Sequence, residues 1–277
     1  MKQTEYLVDG RWLNSQLDNP GIVIVDCRFN LAKPRWGEEQ YKQSHIQGAY
    51  YFDLDRDLSG MVQRHGGRHP LPEIGVFAQK LARMGIVKDE TLVVAYDDSR
   101  FAFAARLWWL LRYLGHEKVA LLDGGWHRWL ERDYPVSRVI PEERVGSFVP
   151  QPHSDWLVDI DRVKSAQNDR EVVIVDSRDR DRYLGIREPI DPVAGSIDGA
   201  VNSPWKQVSN ESGYLKPVEA QQQLWDDYRD AAEIIVYCGS GVTACVNLLS
   251  LSMAGNTNTK LYPGGWSDWC SYLDTAK

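Results

Sequence analysis

The sequence predicts an α/β protein built from two similar domains, each a mainly parallel sheet flanked by helices. Three observations carry that prediction. Short runs rich in Val and Ile alternate with stretches of helical character, which is the pattern of a parallel sheet covered on both faces. A set of landmarks recurs in the same order in each half of the chain, so the fold is read as a duplication. The 277 residues, 43% of them hydrophobic, suffice for two ordinary domains with filled cores.

Taken in order, the first strand is Ile22-Val23-Ile24-Val25-Asp26, followed by Cys27-Arg28. Its counterpart is Val172-Val173-Ile174-Val175-Asp176, followed by Ser177-Arg178. Ser44-His45-Ile46-Gln47-Gly48-Ala49 answers Gly195-Ser196-Ile197-Asp198-Gly199-Ala200, and the strand Thr91–Tyr96 answers Glu233–Tyr237. Asp123-Gly124-Gly125-Trp126 answers Pro263-Gly264-Gly265-Trp266, each after a short apolar strand at 119–122 or 260–262. Helical stretches are expected at 101–113, 218–229 and 242–253. The segment after Pro135, with Pro141, Pro150 and Pro152 and no sustained apolar period, reads as a linker. The division expected is therefore a first domain at 1–135, a linker at 136–155 and a second domain at 156–277.

Ligands of such sheets bind beyond the carboxyl ends of the strands, and one strand end carries unusual chemistry. Ile234-Ile235-Val236-Tyr237 runs into Cys238-Gly239-Ser240-Gly241-Val242-Thr243-Ala244, a thiol in a glycine-rich turn before a helix. Gly239 and Gly241 let the backbone curl so that several N–H groups face one spot, and the helix that follows adds its positive end. A thiol inside that ring has its anion stabilised. The first half offers a control. Asp97 stands opposite Cys238, and Asp98-Ser99-Arg100 opposite Gly239-Ser240-Gly241, so only the second half can be the nucleophilic domain; Asp97-Asp98-Ser99 itself reads as a strand-to-helix turn with a side-chain cap.

Two further features break the symmetry. His45 has Ser196 as its counterpart, and it is either an acid or base for the thiol or a loop histidine bonded to backbone. After Asp176 comes Ser177-Arg178-Asp179-Arg180-Asp181-Arg182-Tyr183-Leu184-Gly185-Ile186-Arg187-Glu188. Its alternating charges suit a solvated, salt-bridged surface, whereas its place at a strand end in the half with the thiol suits anion binding. Arg182 is the first candidate for that role and Arg187 the second.

Composition narrows the field. A net charge of −7 leaves no basic footprint for nucleic acid or anionic membrane. The N-terminal residues lack the apolar core of a signal peptide, no apolar run approaches a membrane span, and a cytoplasmic location is expected. Four cysteines without Cys-x-x-Cys spacing fit a reducing compartment. Six histidines without paired spacing make a zinc site unexpected, and the 11 tryptophans read as helix–sheet packing, so neither metal nor cofactor is expected.

Three reactions suit a thiol in an amide ring. Cysteine phosphatases need an arginine six positions after the thiol, where this chain has Ala244. A cysteine hydrolase needs a histidine base and room for an acyl group, a poorer match to this cramped loop. Sulfur transfer remains: the thiolate takes a sulfur, becomes a persulfide and passes the outer sulfur on, with the amides stabilising the anion in both halves of the reaction.

The Asp-Gly-Gly-Trp and Pro-Gly-Gly-Trp pair, the His45-Ile46-Gln47-Gly48-Ala49 box and the Cys238–Ala244 loop together resemble the two-domain rhodanese sulfurtransferases over nearly the whole chain. The resemblance implies two rhodanese-like domains, the catalytic one being the second, with Cys238 as the persulfide carrier. It assigns loop assistance to Ser240 and Thr243, proton relay to His45 and substrate carboxylate binding to Arg182. The loop Cys-Gly-Ser-Gly-Val-Thr looks like that of the 3-mercaptopyruvate sulfurtransferases, although the Pro-Arg step usual before their second Gly-His-Ile-like box is absent at 187–192. The partners implied are a small anionic sulfur donor, mercaptopyruvate or thiosulfate, and an acceptor that is a thiol, a thioredoxin-like protein or cyanide. The alternatives are a thiosulfate-preferring rhodanese and a non-catalytic, redox-sensing module of the same fold.

Overall fold

In the computed structural model, which describes residues 6–273, the Val/Ile runs form the centres of two separate parallel sheets. Contacts divide the chain into two units. The first comprises the chain through Gly60, Pro72–His153 and Ser209–Leu215; the second comprises Met61–Leu71, Ser154–Val208 and the chain from Lys216 onward.

The first unit contains β1 (Leu7–Val8), α1 (Gly10–Asn14), β2 (Ile22–Asp26), α2 (Trp36–Gln43), β3 (His45–Ile46), β4 (Tyr50–Tyr51), α3 (Ile74–Arg83), β5 (Leu92–Tyr96), α4 (Ala104–Tyr113), β6 (Val119–Leu122), α5 (Gly125–Glu131) and β7 (Val136–Ser137). Its main sheet is parallel, in the order β1-β6-β5-β2-β4. The second unit contains α6 (Ile160–Ala166), β8 (Val172–Asp176), α7 (Arg180–Tyr183), β9 (Val201–Asn202), α8 (Val218–Leu224), β10 (Glu233–Tyr237), α9 (Ala244–Ala254), β11 (Thr259–Leu261) and α10 (Gly265–Cys270). Its sheet is also parallel, in the order β11-β10-β8-β9.

Every residue of β2 and of β10 is buried, as expected for a central strand covered on both faces. Each Val or Ile in them contributes about 1.5–3 kcal/mol by leaving water. α9 is apolar nearly all round and buried nearly all round; of its polar residues, Asn247 donates through its amide nitrogen to Ser177 Oγ at 2.9 Å and to the Ser203 carbonyl at 2.7 Å.

The landmarks shared by the two halves have a common structural cause. Asp26 ends β2 and Asp176 ends β8, and each binds the arginine two residues on, Arg28 or Arg178, at 2.6 Å. Each guanidinium also donates to a carbonyl, Ser44 O or Gly195 O, at 2.7 Å. Each lies over the tryptophan of its Gly-Gly-Trp motif, at 4.2 Å for Arg28 on Trp126 and 4.8 Å for Arg178 on Trp266. Removing one partner of so buried a pair costs about 3–5 kcal/mol.

The contiguous domain division differs from the structure in two ways. Residues 136–153 cluster with the first unit instead of standing apart as a linker. The cause is hydrogen bonding: β7 pairs antiparallel with β3, and the N–H groups of Gln151 and His153 donate to the carbonyls of Leu114 and Tyr113. The short segments 61–71 and 209–215 each cluster with the unit built mainly from the other half of the sequence, which a division at single cut points cannot express. The helix expected at 101–113 begins only at Ala104, and that expected at 218–229 ends at Leu224, with a 3-10 turn at Asp226–Tyr228 beyond it.

Candidate active site

β10 delivers Cys238 to the carboxyl edge of the second sheet, 2% exposed, and the chain then curls through Gly239–Thr243 into α9. Two contacts fix the orientation of this loop. The Cys238 carbonyl accepts the Trp266 N–H and the Gly239 carbonyl accepts the Ser267 N–H, both at 2.8 Å. In a trans peptide C=O and N–H point in opposite directions, so anchoring these carbonyls on α10 turns the N–H groups of Gly239 and Ser240 toward the other side of the loop.

Glycines are required at two points of this contact. A Cβ on Gly265 would stand 2.5 Å from the Cys238 carbonyl oxygen, and one on Gly241, whose φ is +70°, would stand 2.3 Å from the Pro263 oxygen. The Pro-Gly-Gly-Trp landmark is thus the platform on which the thiol loop rests. Val242 is buried and Thr243, half-buried, is the residue before α9.

The segment 61–71 completes the surroundings of the loop. It is fastened to α10: Gly66 N–H donates to Asp268 Oδ1 at 2.6 Å, Arg68 N–H to Ser267 Oγ at 3.1 Å, and His65 Nδ1 meets Ser271 Oγ at 2.7 Å. The His65 ring stacks on Tyr272 with centroids 4.2 Å apart. So held, the segment places His69 Nδ1 2.7 Å from Ser240 Oγ, with both residues 6% exposed. It also brings a guanidinium nitrogen of Arg68 to 3.0 Å from where a Cβ of Gly239 would be, and both terminal nitrogens of Arg182 to 3.6 Å from the same point.

Arg68 and Arg182 share one carboxylate. Arg182 Nη2 lies 3.0 Å from Asp191 and 2.7 Å from Glu188, and Arg68 is ion-paired with the other oxygen of Asp191. Burial lowers the pKa of Arg68 from its ordinary value; the Cys238 sulfur opposes this and the Arg182 charge adds to it. An arginine so perturbed stays protonated near neutrality. The site is therefore a sulfur atom, a hydroxyl–imidazole pair and two guanidiniums around one glycine-rich turn.

Of the residues singled out from sequence, the structure brings together Cys238, Gly239, Ser240, Gly241, Val242, Thr243 and Arg182. Two are corrected. His45 is fully buried in the first unit, its Nδ1 2.7 Å from the Tyr41 carbonyl, its Nε2 3.1 Å from the Val139 carbonyl and its ring stacked on Tyr41 at 4.0 Å. With both nitrogens at backbone carbonyls, it tethers β3 and is not placed for proton relay. Arg187, two residues beyond the left-handed Gly185 (φ +70°), has a side chain 68% exposed and pairs with Asp181 at 3.3 Å. It belongs to the solvated surface.

The residues that sequence reasoning missed are Arg68, His69 and Asp191. The signal for the first two was the stretch Arg64-His65-Gly66-Gly67-Arg68-His69-Pro70, basic and glycine-rich in an acidic chain, and without a counterpart among the matched landmarks.

Comparison with known proteins identifies the family. The model of the rhodanese-like domain matches the chain twice, at residues 9–132 and 159–272. The chain belongs to the rhodanese-like family and is a sulfurtransferase. It is 40% identical over 268 residues to the probable 3-mercaptopyruvate sulfurtransferase of Pseudomonas aeruginosa, covering 95% of this chain and 94% of that protein. It is 34% identical over 254 residues to a putative thiosulfate sulfurtransferase of Mycobacterium tuberculosis, covering 90% and 88%. Among solved structures, the 3-mercaptopyruvate sulfurtransferase from Leishmania major superposes with a TM-score of 0.84 at 26% identity, covering 99% of this chain and 76% of that one. Among the described residues no helix is long and apolar enough to cross a membrane, and no group of His, Cys, Asp or Glu side chains could hold a metal ion.

Proposed function

We propose that the protein moves a sulfur atom from 3-mercaptopyruvate or thiosulfate to a thiol, thioredoxin-like or cyanide acceptor through a persulfide on Cys238. The observation that carries this reading is the placing of one thiol, at a loop whose amides are turned inward, beside two arginines that can grip an anion. Arg182 and Arg68 hold the donor's charged end. The Cys238 thiolate attacks the donor's outer sulfur, forming an S–S bond.

With mercaptopyruvate the C–S bond breaks, its electron pair passes into the enolate of pyruvate, and that carbon takes a proton. With thiosulfate the S–S bond breaks and sulfite leaves with the pair. Ser240, hydrogen-bonded to His69, is the hydroxyl that steadies the developing enolate oxygen, and the imidazole takes or returns the proton. In the second half the acceptor's thiolate or cyanide attacks the outer sulfur and Cys238 leaves as thiolate, again facing the loop amides. Gly239, Gly241, Val242 and Thr243 shape the loop whose backbone amides face the sulfur. A reducing compartment such as the cytoplasm suits a persulfide carrier and four cysteines that form no disulfide.

The relatives named for mercaptopyruvate and the serine hydroxyl of the loop favour mercaptopyruvate as donor. The test is turnover with each donor, followed as pyruvate or sulfite released and thiocyanate formed. Wild-type protein is expected to turn over both, with higher kcat/KM for mercaptopyruvate, and Cys238→Ser to turn over neither. Wild-type rates in Cys238→Ser would end this reading.

A further inference from the structure

Six ionised side chains form one alternating row ending at the thiol loop. Asp176 pairs with Arg178 at 2.6 Å, Arg178 with Glu188 at 3.2 Å, Glu188 with Arg182 at 2.7 Å, Arg182 with Asp191 at 3.0 Å, and Asp191 with Arg68. Three carboxylates against three guanidiniums leave the row neutral. Its members differ in how far they are open to a ligand. The Arg178 side chain is 1% exposed and committed to Asp176, whereas those of Arg182 and Arg68 are 14% and 32% exposed and face Gly239.

Asp191 lies between these two open arginines, its side chain 1% exposed. Its place is set by a tight turn in which Glu188 Oε1 accepts the N–H groups of Ile190 and Asp191, both at 3.1 Å. That turn fixes the backbone of Asp191 and the two ion pairs hold its carboxylate, which withdraws part of the positive field from the two groups that meet the donor.

We propose that Asp191 is a specificity-determining residue, which sets donor preference by charge. Resting on the reading of Cys238 as sulfur acceptor, it makes the two arginines a match for a donor with a single carboxylate and a poor match for a compact dianion. A monoanion adds one negative charge to a balanced row. Thiosulfate adds two beside a buried carboxylate and the Cys238 thiolate, and charges a few ångströms apart at a half-buried site interact by kcal/mol rather than tenths.

Asp191→Asn keeps the shape and one accepting oxygen while removing the charge, its amide nitrogen standing where the other guanidinium found an oxygen. In this variant the ratio of kcat/KM for thiosulfate to that for mercaptopyruvate is expected to rise about tenfold or more, through a lower KM for thiosulfate. An equal factor on both donors, or a ratio that falls, overturns the proposal.

Should Asp191→Asn fail to fold, wild-type protein supplies the same test without turnover. Methanesulfonate, a monoanion, is expected to protect Cys238 from iodoacetamide at concentrations no higher than sulfate requires; protection by sulfate at tenfold lower concentration overturns the proposal. Absence of turnover with either donor in the wild type would instead refute the sulfur-transfer reading, so the two failures are told apart.

Discussion

The loops that follow β5 and β10 are the same backbone device put to opposite uses. In the first unit the Asp97 carboxylate accepts the N–H groups of Ser99, Phe101, Phe103 and Ala104 at 2.8–3.0 Å. In the second, Cys238 occupies that position. Both loops rest on a Gly-Gly-Trp platform, the carbonyls of Asp97 and Cys238 accepting the Trp126 and Trp266 N–H at 2.9 and 2.8 Å. Arg100 adopts φ +58° where Gly241 has +70°. The difference teaches what such a turn is for: its amides converge on one point, and an anion satisfies them. In one loop the chain supplies the group itself, as a carboxylate, and in the other the position is left to a sulfur.

The same comparison explains the serine. Ser99, opposite Ser240, donates to its neighbour Asp98 at 3.1 Å, whereas Ser240 meets His69. A hydroxyl tied to a carboxylate has no imidazole with which to exchange a proton. If the pairing is the functional difference, His69→Ala should lower kcat with mercaptopyruvate by about 10²-fold or more while leaving its KM within a few-fold. A rise in KM alone, with kcat intact, would move His69 from proton transfer to shaping the binding site.

The arginines sharpen the contrast next. Arg182→Ala is expected to raise KM for either donor about tenfold, and Arg187→Ala to leave both constants within error, although the two lie five residues apart on one charged stretch. Steady-state kinetics on the two variants decides it; equal effects would break the distinction between gripping and solvated arginines.

A smaller effect is expected in the first unit. Burial pushes the Asp97 carboxyl up to about 6 from 3.8, outweighing the amide donors that lower it. A folded-state pKa above the unfolded one means the native state holds the proton more tightly, so stability is greatest below about 4 and is lost as pH rises through about 6. Thermal unfolding of the wild type between these pH values should show that loss, and Asp97→Asn should flatten it. A variant whose pH dependence over this window matches the wild type would show that Asp97 does not titrate there.

Much of this was legible in the sequence, because central strands announce themselves by unbroken Val/Ile runs and tight turns by their glycines. The thiol loop, the paired strands and the control residue Asp97 all follow from such local signals. Arg68 and His69 could not be placed that way, since their segment clusters with a unit whose other residues lie about 85 positions or more downstream. Nothing local says where a loop of that kind will dock. His45 misled for a related reason. A histidine beside a shared landmark looks like an added function, yet the fold uses it to fill a buried site against Tyr41. Arg187 misled because alternating charges do not reveal which arginine of the stretch is buried with other charges and which is left in solvent.

The central claim is that the second loop keeps for sulfur the position the first gives to Asp97. Its most direct test is to load the protein with mercaptopyruvate or thiosulfate, trap it without acceptor, and locate added sulfur by mass spectrometry of peptides. The account predicts one extra sulfur, on Cys238 and on none of Cys27, Cys245 or Cys270, and none in Cys238→Ser. Sulfur on another cysteine, or an undiminished mass gain in Cys238→Ser, would contradict it.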